Sequence, residues 1–441
     1  MNNLVWFRND LRIRNNTSLA KACSGNKVMG VYCFNPTYFS IGDYGFKKTE
    51  RFRARFLIET IIQLKDNLRK LNIPLFVYVD NPEKRIPKFI HEHGIQNVFL
   101  QKEWTRDENK VRNAVIAKVS SSVNFEESYD QFLFHPDDIP YVSFQQIPKI
   151  FTEFRKKCEI YTKVRPVLES PMVRPENNLV ENNTVVPSLQ DLGLSNFSID
   201  TRTAFPFKGG ETNAKKRIEE YFWETKKLAF YKKTRNGLVG QGYSSKLSPW
   251  LANGSISART IYWEVKEFES TVKKNQDTYW LVFELIWRDF FKYVSLKHGN
   301  QIFRIEGILN KKYDWKTSKK ITEHWISGQT EDPFINANMQ EIARTGWMSN
   351  RGRQNVASFW SRVLEQDWRI GAAYFESMLL DYDVHSNWGN WMYSSGVGND
   401  PRNRIFNSKR QAERYDPNGK FQALWLQETL FKIIFRNSFK Q

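Results

Sequence analysis

Residues 344–360, RTGWMSNRGRQNVASFW, and 367–401, DWRIGAAYFESMLLDYDVHSNWGNWMYSSGVGNDP, mix charge and indole beyond what a plain helical core needs. Asn350, Arg351 and Arg353 come first, then Trp368, Asp381 and Asp383, and finally Asn387, Trp388, Trp391 and Tyr393. Asp and Arg are rarely buried unless paired, and a buried Trp keeps its N–H near a partner. The stretch is therefore either an ion-paired core between helices or the lining of a large polar-aromatic pocket. From Phe207 onward the surrounding pattern is helical, and 13 of the 15 tryptophans lie beyond residue 220.

At 441 residues the chain is too long for one small core, so two domains are expected. Lys and Arg outnumber Asp and Glu by 66 to 48, a formal net charge of +18 that favours a polyanionic partner. Lysines spread over solvated faces would give the same count. The three cysteines, Cys23, Cys33 and Cys158, form no CxxC pair, which argues against a disulfide framework or a zinc-thiolate site. The N-terminus meets Arg8 and Asp10 before a signal-peptide core forms, and no apolar run approaches the roughly 20 residues of a membrane span. A cytoplasmic protein is expected.

The first 130 residues alternate strand and helix signals. Residues 4–7, 28–34, 75–79 and 98–100 are short apolar runs of buried-strand type. Leu57, Ile61, Leu64, Leu68 and Leu71 mark one face of an amphipathic helix that Pro74 ends, and Thr17 is the expected N-cap of the first helix. Such alternation implies a parallel sheet with helices on both faces. Neither GxGxxG after the first strand nor GxxxxGK[ST] occurs, so standard dinucleotide and P-loop binding are excluded. Residues 131–205, dense in Pro, Asn and Asp with a helical patch at 151–158, read as a connector. The expected division is an α/β domain over 1–130, the connector, and an all-helical domain over 206–441. His91 and His93 read as a solvated helix end, and Asp381 and Asp383 as partners of protein or ligand cations rather than of a metal.

Two further stretches of the helical half look convergent. Tyr231 is followed by GYSSKLSPWLANGSIS (242–257), where Ser244, Ser245 and Ser248 supply hydroxyls and Gly242 allows close backbone approach. A hydroxyl-rich turn opening a helix suits a phosphate, although serines there also serve simply as caps. In TYWLVFELIWRDFFKYV (278–294), Glu284, Trp287, Arg288 and Phe291 fall at i, i+3, i+4 and i+7, on one helix face. Their alternative is an intrahelical Glu–Arg pair.

These residues resemble the photolyase/cryptochrome family, most closely its cryptochrome DASH branch. The likeness is carried by VWFRNDLR (5–12), FKGGET (207–212), the 231–257 segment, FELIWRDFF (283–291), GQTEDPFINANM (328–339) and the 344–401 stretch. It implies an N-terminal parallel-sheet α/β domain and a C-terminal helical domain that binds FAD. Tyr231 and the Ser244, Ser245, Lys246, Leu247, Ser248 turn would take the phosphates. Trp280, Glu284, Arg288 and Asn350 would line the pocket, and Arg353 would pair with Asp381. Asp383 would face the polar edge of the flavin ring, with Asn387 near its N5. The implied reaction is that of a deoxyribodipyrimidine photo-lyase, in which the excited reduced flavin passes an electron to a flipped-out cyclobutane pyrimidine dimer. Glu284 would bond the pyrimidine carbonyl and Trp287 stack on the lesion, with Asn350, Gln354 and Tyr393 around it. Trp391, Trp368 and Trp315 would carry electrons from the surface to oxidised flavin.

Three residues depart from the duplex-active pattern. Tyr393 stands where a second Trp is found, Gln354 where Met is found, and Ser349 where both dimer and (6-4) photolyases have His. The DASH branch shares these traits and favours dimers in single-stranded DNA, the expected partner of a monomeric protein. The branch also implies a 5,10-methenyltetrahydrofolate antenna between the domains, held by Glu103; as an ordinary surface carboxylate, Glu103 would do nothing of the kind. The other functional class is a blue-light photoreceptor that binds RNA or single-stranded DNA with little repair. The chain runs only 40 residues past GVGNDP (396–401), to FKIIFRNSFKQ (431–441), which favours repair over tail-borne signalling.

Overall fold

The computed structural model describes residues 1–427; the 431–441 segment lies outside the described residues. A five-stranded parallel sheet and a helical layer divide the molecule. In chain order the sheet half comprises β1 (Asn2–Trp6), α1 (Thr17–Ala22), β2 (Lys27–Phe34), α2 (Arg51–Arg69), β3 (Leu75–Val79), α3 (Pro82–Glu92), β4 (Ile95–Gln101), α4 (Arg106–Ile116) and β5 (Asn124–Ser128). The strand order is β3-β2-β1-β4-β5, so the chain reverses its direction of winding between β1 and β4. In open sheets of this kind the crevice beyond the carboxyl ends of the strands at that switch point is the ligand site. Here those ends lead to Arg8 and Asn9 on one side and Glu103 and Thr105 on the other.

β1 and β2 are buried along most of their length because helices cover both faces, which is why they read as unbroken apolar runs. The fifth strand, NFEES, escaped the sequence reading because it pairs only with β4, at the sheet edge, and carries two glutamates. Asn16, not Thr17, caps α1: its side chain accepts from Leu19 N at 2.9 Å. Thr17 instead directs its backbone N–H and its hydroxyl to the two carboxylate oxygens of Asp130, at 2.6 Å each.

The helical half adds α5 (Phe151–Tyr161), α6 (Glu211–Ile218), α7 (Tyr231–Thr234), α8 (Ser248–Ala252), α9 (Ala258–Thr271) and α10 (Gln276–His298). It continues with α11 (Lys319–Ile326), α12 (Pro333–Thr345), α13 (Asn350–Ser358), α14 (Trp368–Met378), α15 (Val384–Ser395) and α16 (Ser408–Tyr415). α10 is the central rod. Asn275 caps it reciprocally, accepting from Asp277 N and Thr278 N at 2.9 Å while Thr278 Oγ1 accepts from Asn275 N at 3.2 Å. α7, α9 and α15 pack around it. Between the halves, Phe132, Leu133, Phe134, Phe151 and Phe154 join the helical core, while Leu189, Leu192 and Leu194 pack against the sheet.

The halves are tied by buried polar contacts. Arg12 donates to Gly254 O at 2.9 Å, Ile13 N to Glu211 Oε2 at 2.8 Å, and Arg259 pairs with Asp130 at 2.9 Å. Gly254 has φ +73°, and a Cβ there would lie 1.9 Å from Asn9 O, so only glycine allows the helical layer to approach the loop after β1.

Candidate active site

A cavity of about 540 Å³ opens between α10 and the 344–401 region. Trp280, Glu284, Trp287, Arg288 and Phe291 line one wall because the i, i+4, i+7, i+8, i+11 spacing aligns them on one face of α10. Glu284 does not pair along the helix with Arg288. Its Oε1 lies 2.8 Å from Arg235 Nη2, while Arg288 donates to the carbonyl oxygens of Gln131 and Leu251. Burial raises the Glu284 carboxyl above its usual range, against the pull of Arg235, Trp280 and Arg351.

The opposite wall is formed by Tyr231, Tyr243 and the Ser244–Ser248 turn. Buried Arg217, which the sequence reading missed, donates to the carbonyls of Gln241, Ser244 and Ser245 at 2.9–3.0 Å and so fixes the turn from behind. Lys246 adopts φ +60°, and its buried Nζ has no hydrogen-bond partner, lying 3.2 Å over the Tyr243 ring and 4.5 Å from that of Trp347. Burial depresses its ammonium well below the ordinary lysine range, with Glu341 opposing. Gly242 takes no part in the cavity wall; it borders Lys227, whose Nζ would meet an added Cβ at 2.7 Å.

At the inner end, Arg353 Nη2 grips both carboxylate oxygens of Asp381 at 2.9 and 3.0 Å, and its Nε donates to Met348 O at 2.9 Å. Asp383 caps α15 through Ser386 N at 2.8 Å and accepts from Lys292 Nζ at 2.8 Å. Burial opposes its charge, but Lys292 and Arg288 outweigh burial and hold the carboxyl far below its usual range. Asn387 lines a small recess beside these aspartates, with its Nδ2 donating to Ala372 O at 3.0 Å. Ser349, buried, caps α13 through Gly352 N at 3.0 Å, leaving exposed Asn350 as the first residue of that helix at the cavity edge.

The mouth carries aromatic and basic groups. Phe151 stacks on Trp287 with centroids 3.7 Å apart at 10°, fixing the indole from one side, and Tyr393 meets that indole edge-on at 6.1 Å. Arg404 bonds the Tyr393 hydroxyl and pairs with Asp400 at 3.1 Å, while Arg351 donates to Gln354 Oε1 at 2.9 Å. Behind the mouth, fully buried Trp391 rests on Gly371, where an added Cβ would come within 2.2 Å of its ring. Gly371 lies one turn beyond Trp368 on α14. The segment before Trp368 is bridged to 316, through Asp367 N to Lys316 O at 2.9 Å, next to half-buried Trp315. The ring that Trp368 meets is that of Trp388, at 5.6 Å and 78°, and Trp315 meets Tyr313 at 5.2 Å. Trp325, missed by the sequence reading, also meets Trp391, at 6.4 Å.

A second cavity of about 280 Å³ lies where the halves meet, at the switch point of the sheet. Glu103 sits in its wall, paired with Arg8 at 3.4 Å and accepting from Asn9 Nδ2 at 3.0 Å. Beside it, and unremarked in the sequence, is Glu108, whose buried carboxyl is pushed up to about 7 by desolvation and the nearby Glu103. Leu251, Ala252, Arg288 and Asp383 line both cavities.

The larger cavity has the size of a cofactor site. One side offers hydroxyls and an unpartnered lysine, suited to phosphate. The other offers carboxylates and amides, and in the adjoining recess lie Asn387 and the buried Trp391 Nε1, which has no hydrogen-bond partner, a set suited to a polar heteroaromatic ring. This donor and acceptor set fits FAD.

Comparison with known proteins agrees. Residues 3–173 match the family model described as DNA photolyase, and residues 280–430 the one described as FAD binding domain of DNA photolyase. Cryptochrome DASH of Gloeobacter violaceus is 45% identical over 96% of this chain and 85% of the relative. That of Xenopus laevis is 42% identical over 96% and 82%. The crystal structure of a Synechocystis cryptochrome superposes with a TM-score of 0.93 at 41% identity, covering 97% of this chain and 89% of the other. Fold, cavity chemistry and likeness along nearly the whole length converge, and the chain belongs to the cryptochrome DASH branch of the photolyase/cryptochrome family.

Proposed function

We propose that this protein is a light-driven deoxyribodipyrimidine photo-lyase that repairs cyclobutane pyrimidine dimers, preferentially in single-stranded DNA. The observation that carries the reading is the composition of the cavity mouth. A carboxyl group (Glu284), a braced indole (Trp287) and a phenol (Tyr393) line the cavity together, a set suited to a flipped-out pair of linked pyrimidines, with Asn350, Gln354 and Arg351 beside them. FAD, when bound, supplies the light-driven one-electron donation. Tyr231 and the Ser244–Ser248 turn with Lys246 hold its phosphates, Trp280 and Arg288 its flanks, and Arg353–Asp381, Asp383 and Asn387 its ring. Glu284, whose carboxyl burial raises towards the protonated form, donates to the pyrimidine carbonyl, in a setting where preorganised polar groups count most. Trp287 stacks on the lesion, and basic groups at the rim hold the strand phosphates. Trp391, Trp368 and Trp315 would serve as the indoles that pass electrons inward from the surface.

The preference for single strands rests on Tyr393 and its anchor. A phenol tethered by Arg404 offers less stacking surface than a second indole, so less of the unstacking cost of duplex is repaid. The smaller cavity is proposed as the site of a 5,10-methenyltetrahydrofolate antenna, with Glu103 and Glu108 as acceptors for the ring N–H groups of a pterin. The protein is proposed to act as a cytoplasmic monomer; among the described residues no helix is long and apolar enough to cross a membrane.

The test is illumination of the photoreduced holoprotein with single-stranded DNA bearing one thymine dimer, alongside the same lesion in duplex. Loss of the dimer in light only, faster in the single strand, is the expected result. A photoreducible flavin with no repair of either substrate would move the reading to a blue-light photoreceptor. Folate-type absorption lost in Glu103→Gln tests the antenna separately.

A further inference from the structure

Lys292 stands on the partition between the two cavities. Its side chain is buried, lines the inter-domain cavity, and donates at 2.8 Å to Asp383, which lines both. An ammonium has three donors, and Asp383 takes one of them. The charges around it do not balance. Arg288, on the same partition, bonds two carbonyl oxygens rather than a carboxylate. Asp289 is committed to the N–H groups of Leu133 and Phe134, and burial pushes its carboxyl up to about 7. His385, bonded through Nδ1 to Ser295 at 2.7 Å and stacked on Trp104 at 4.6 Å, is held neutral by burial and by Lys292. Two cations thus face one fully ionised carboxylate in a poorly solvated wall, where unbalanced charge is costly.

The geometry points to Lys292 as a positioning residue shared by both sites: bonded to Asp383 on the flavin side, it also donates to an acceptor of the ligand in the inter-domain cavity, so that each site's occupancy changes the other's affinity. The inference rests on reading the cavities as flavin and folate sites. Its sign follows from the charge excess. A pterin carbonyl or carboxylate drawing on Lys292 leaves less positive charge to favour an electron-rich reduced ring next door. Folate therefore binds more weakly when the flavin is reduced, and by linkage folate lowers the flavin reduction potential. Removing the ammonium removes the dependence.

The experiment titrates 5,10-methenyltetrahydrofolate, followed by its absorption, into folate-stripped holoprotein with the flavin fully oxidised and fully reduced. The wild type is expected to show about tenfold weaker binding in the reduced state, equivalent to about 30 mV in the two-electron potential. Lys292→Met brings the ratio to about one and Lys292→Arg retains it; Lys292→Gln replaces the methionine variant if that fails to fold. Equal affinities in the wild type, or an unchanged ratio in the uncharged variant, would overturn the coupling while leaving the antenna reading intact. No folate uptake by the wild type in either state overturns both.

Discussion

Arg235 Nη2 and Glu284 Oε1 lie 2.8 Å apart across the mouth of the larger cavity, joining the end of α7 to the middle of α10. Both side chains are largely withdrawn from solvent, and burial already works against the Glu284 charge. Arg235→Met strands that carboxylate and is expected to cost roughly 3 kcal/mol, read from chemical denaturation. Glu284→Gln removes the charge and is tolerated, and the double variant recovers most of the loss. On repair, Glu284→Gln is expected to lower the dimers split per absorbed photon by roughly tenfold, the worth of one hydrogen bond to a charged group, with flavin content unchanged. Equal yields in variant and wild type would remove Glu284 from the reaction.

Tyr393 and Arg404 form the second rim contact, and Asp400 holds Arg404 in place. Tyr393→Trp exchanges the tethered phenol for a larger stacking face. Base–aromatic stacking contributes about 1–3 kcal/mol per base, so dimer-containing duplex is expected to bind roughly tenfold tighter to the variant, with single-strand affinity little changed. Arg404→Ala is expected to weaken single-strand binding uniformly across sequences and to reduce the salt slope by about one. Binding isotherms at several salt concentrations check both.

Trp391 is the indole that both lines the flavin-side recess and rests on α14 near Trp368. Trp391→Phe is expected to abolish most photoreduction of oxidised flavin, read from the bleaching of its visible absorption under blue light. Repair by chemically reduced protein stays near wild type, which separates the supply of electrons from their use. Gly371→Ala perturbs the same stack from the other side, because its Cβ would collide with the Trp391 ring. The expected cost of such overpacking is about 1–3 kcal/mol. If Trp391→Phe photoreduces normally, the path runs through other residues, with Trp325 the first to examine.

Period and punctuation were sufficient to read the alternating sheet half and the helical half, because buried parallel strands and a long amphipathic helix leave strong local signals. The edge strand was not legible, since a half-exposed NFEES resembles a polar loop until β4 is seen beside it. The wall residues on α10 could be grouped because helical spacing alone puts Glu284, Trp287 and Arg288 on one side. Their partners could not. Arg235 is 49 residues before Glu284, Lys292 meets Asp383 across 91, and Arg217 reaches a turn 24 to 28 residues away. Such pairings are decided by tertiary packing, which no window of sequence contains. Glu108 was missed for a related reason: a Glu in the first turn of a helix looks like ordinary dipole compensation, and only the closure of the two halves buries it.

Glu341 on α12 provides a stability test independent of the flavin. It is fully buried, its Oε2 has no hydrogen-bond partner, and burial pushes its carboxyl up to about 8, with Lys246 and Arg353 opposing. A carboxyl raised in the folded state binds its proton more tightly there than in the unfolded chain. Stability is therefore greatest below the unfolded value near 4.5 and falls as pH rises towards about 8, where the folded protein must bury an ion. Glu341→Gln keeps the shape without the charge. It is expected to be close to neutral at pH 5 and stabilising by roughly 2 kcal/mol or more at pH 8.5. Asp289 and Glu108, raised to about 7, add slopes of the same sign, so the wild-type midpoint should still decline with pH in the variant, only less steeply. Thermal denaturation of both proteins from pH 5 to 8.5 supplies the comparison. Parallel curves would mean that Glu341 is ionised throughout, which requires Lys246 to be charged beside it and its ammonium to be a fixed cation of the phosphate side of the cavity.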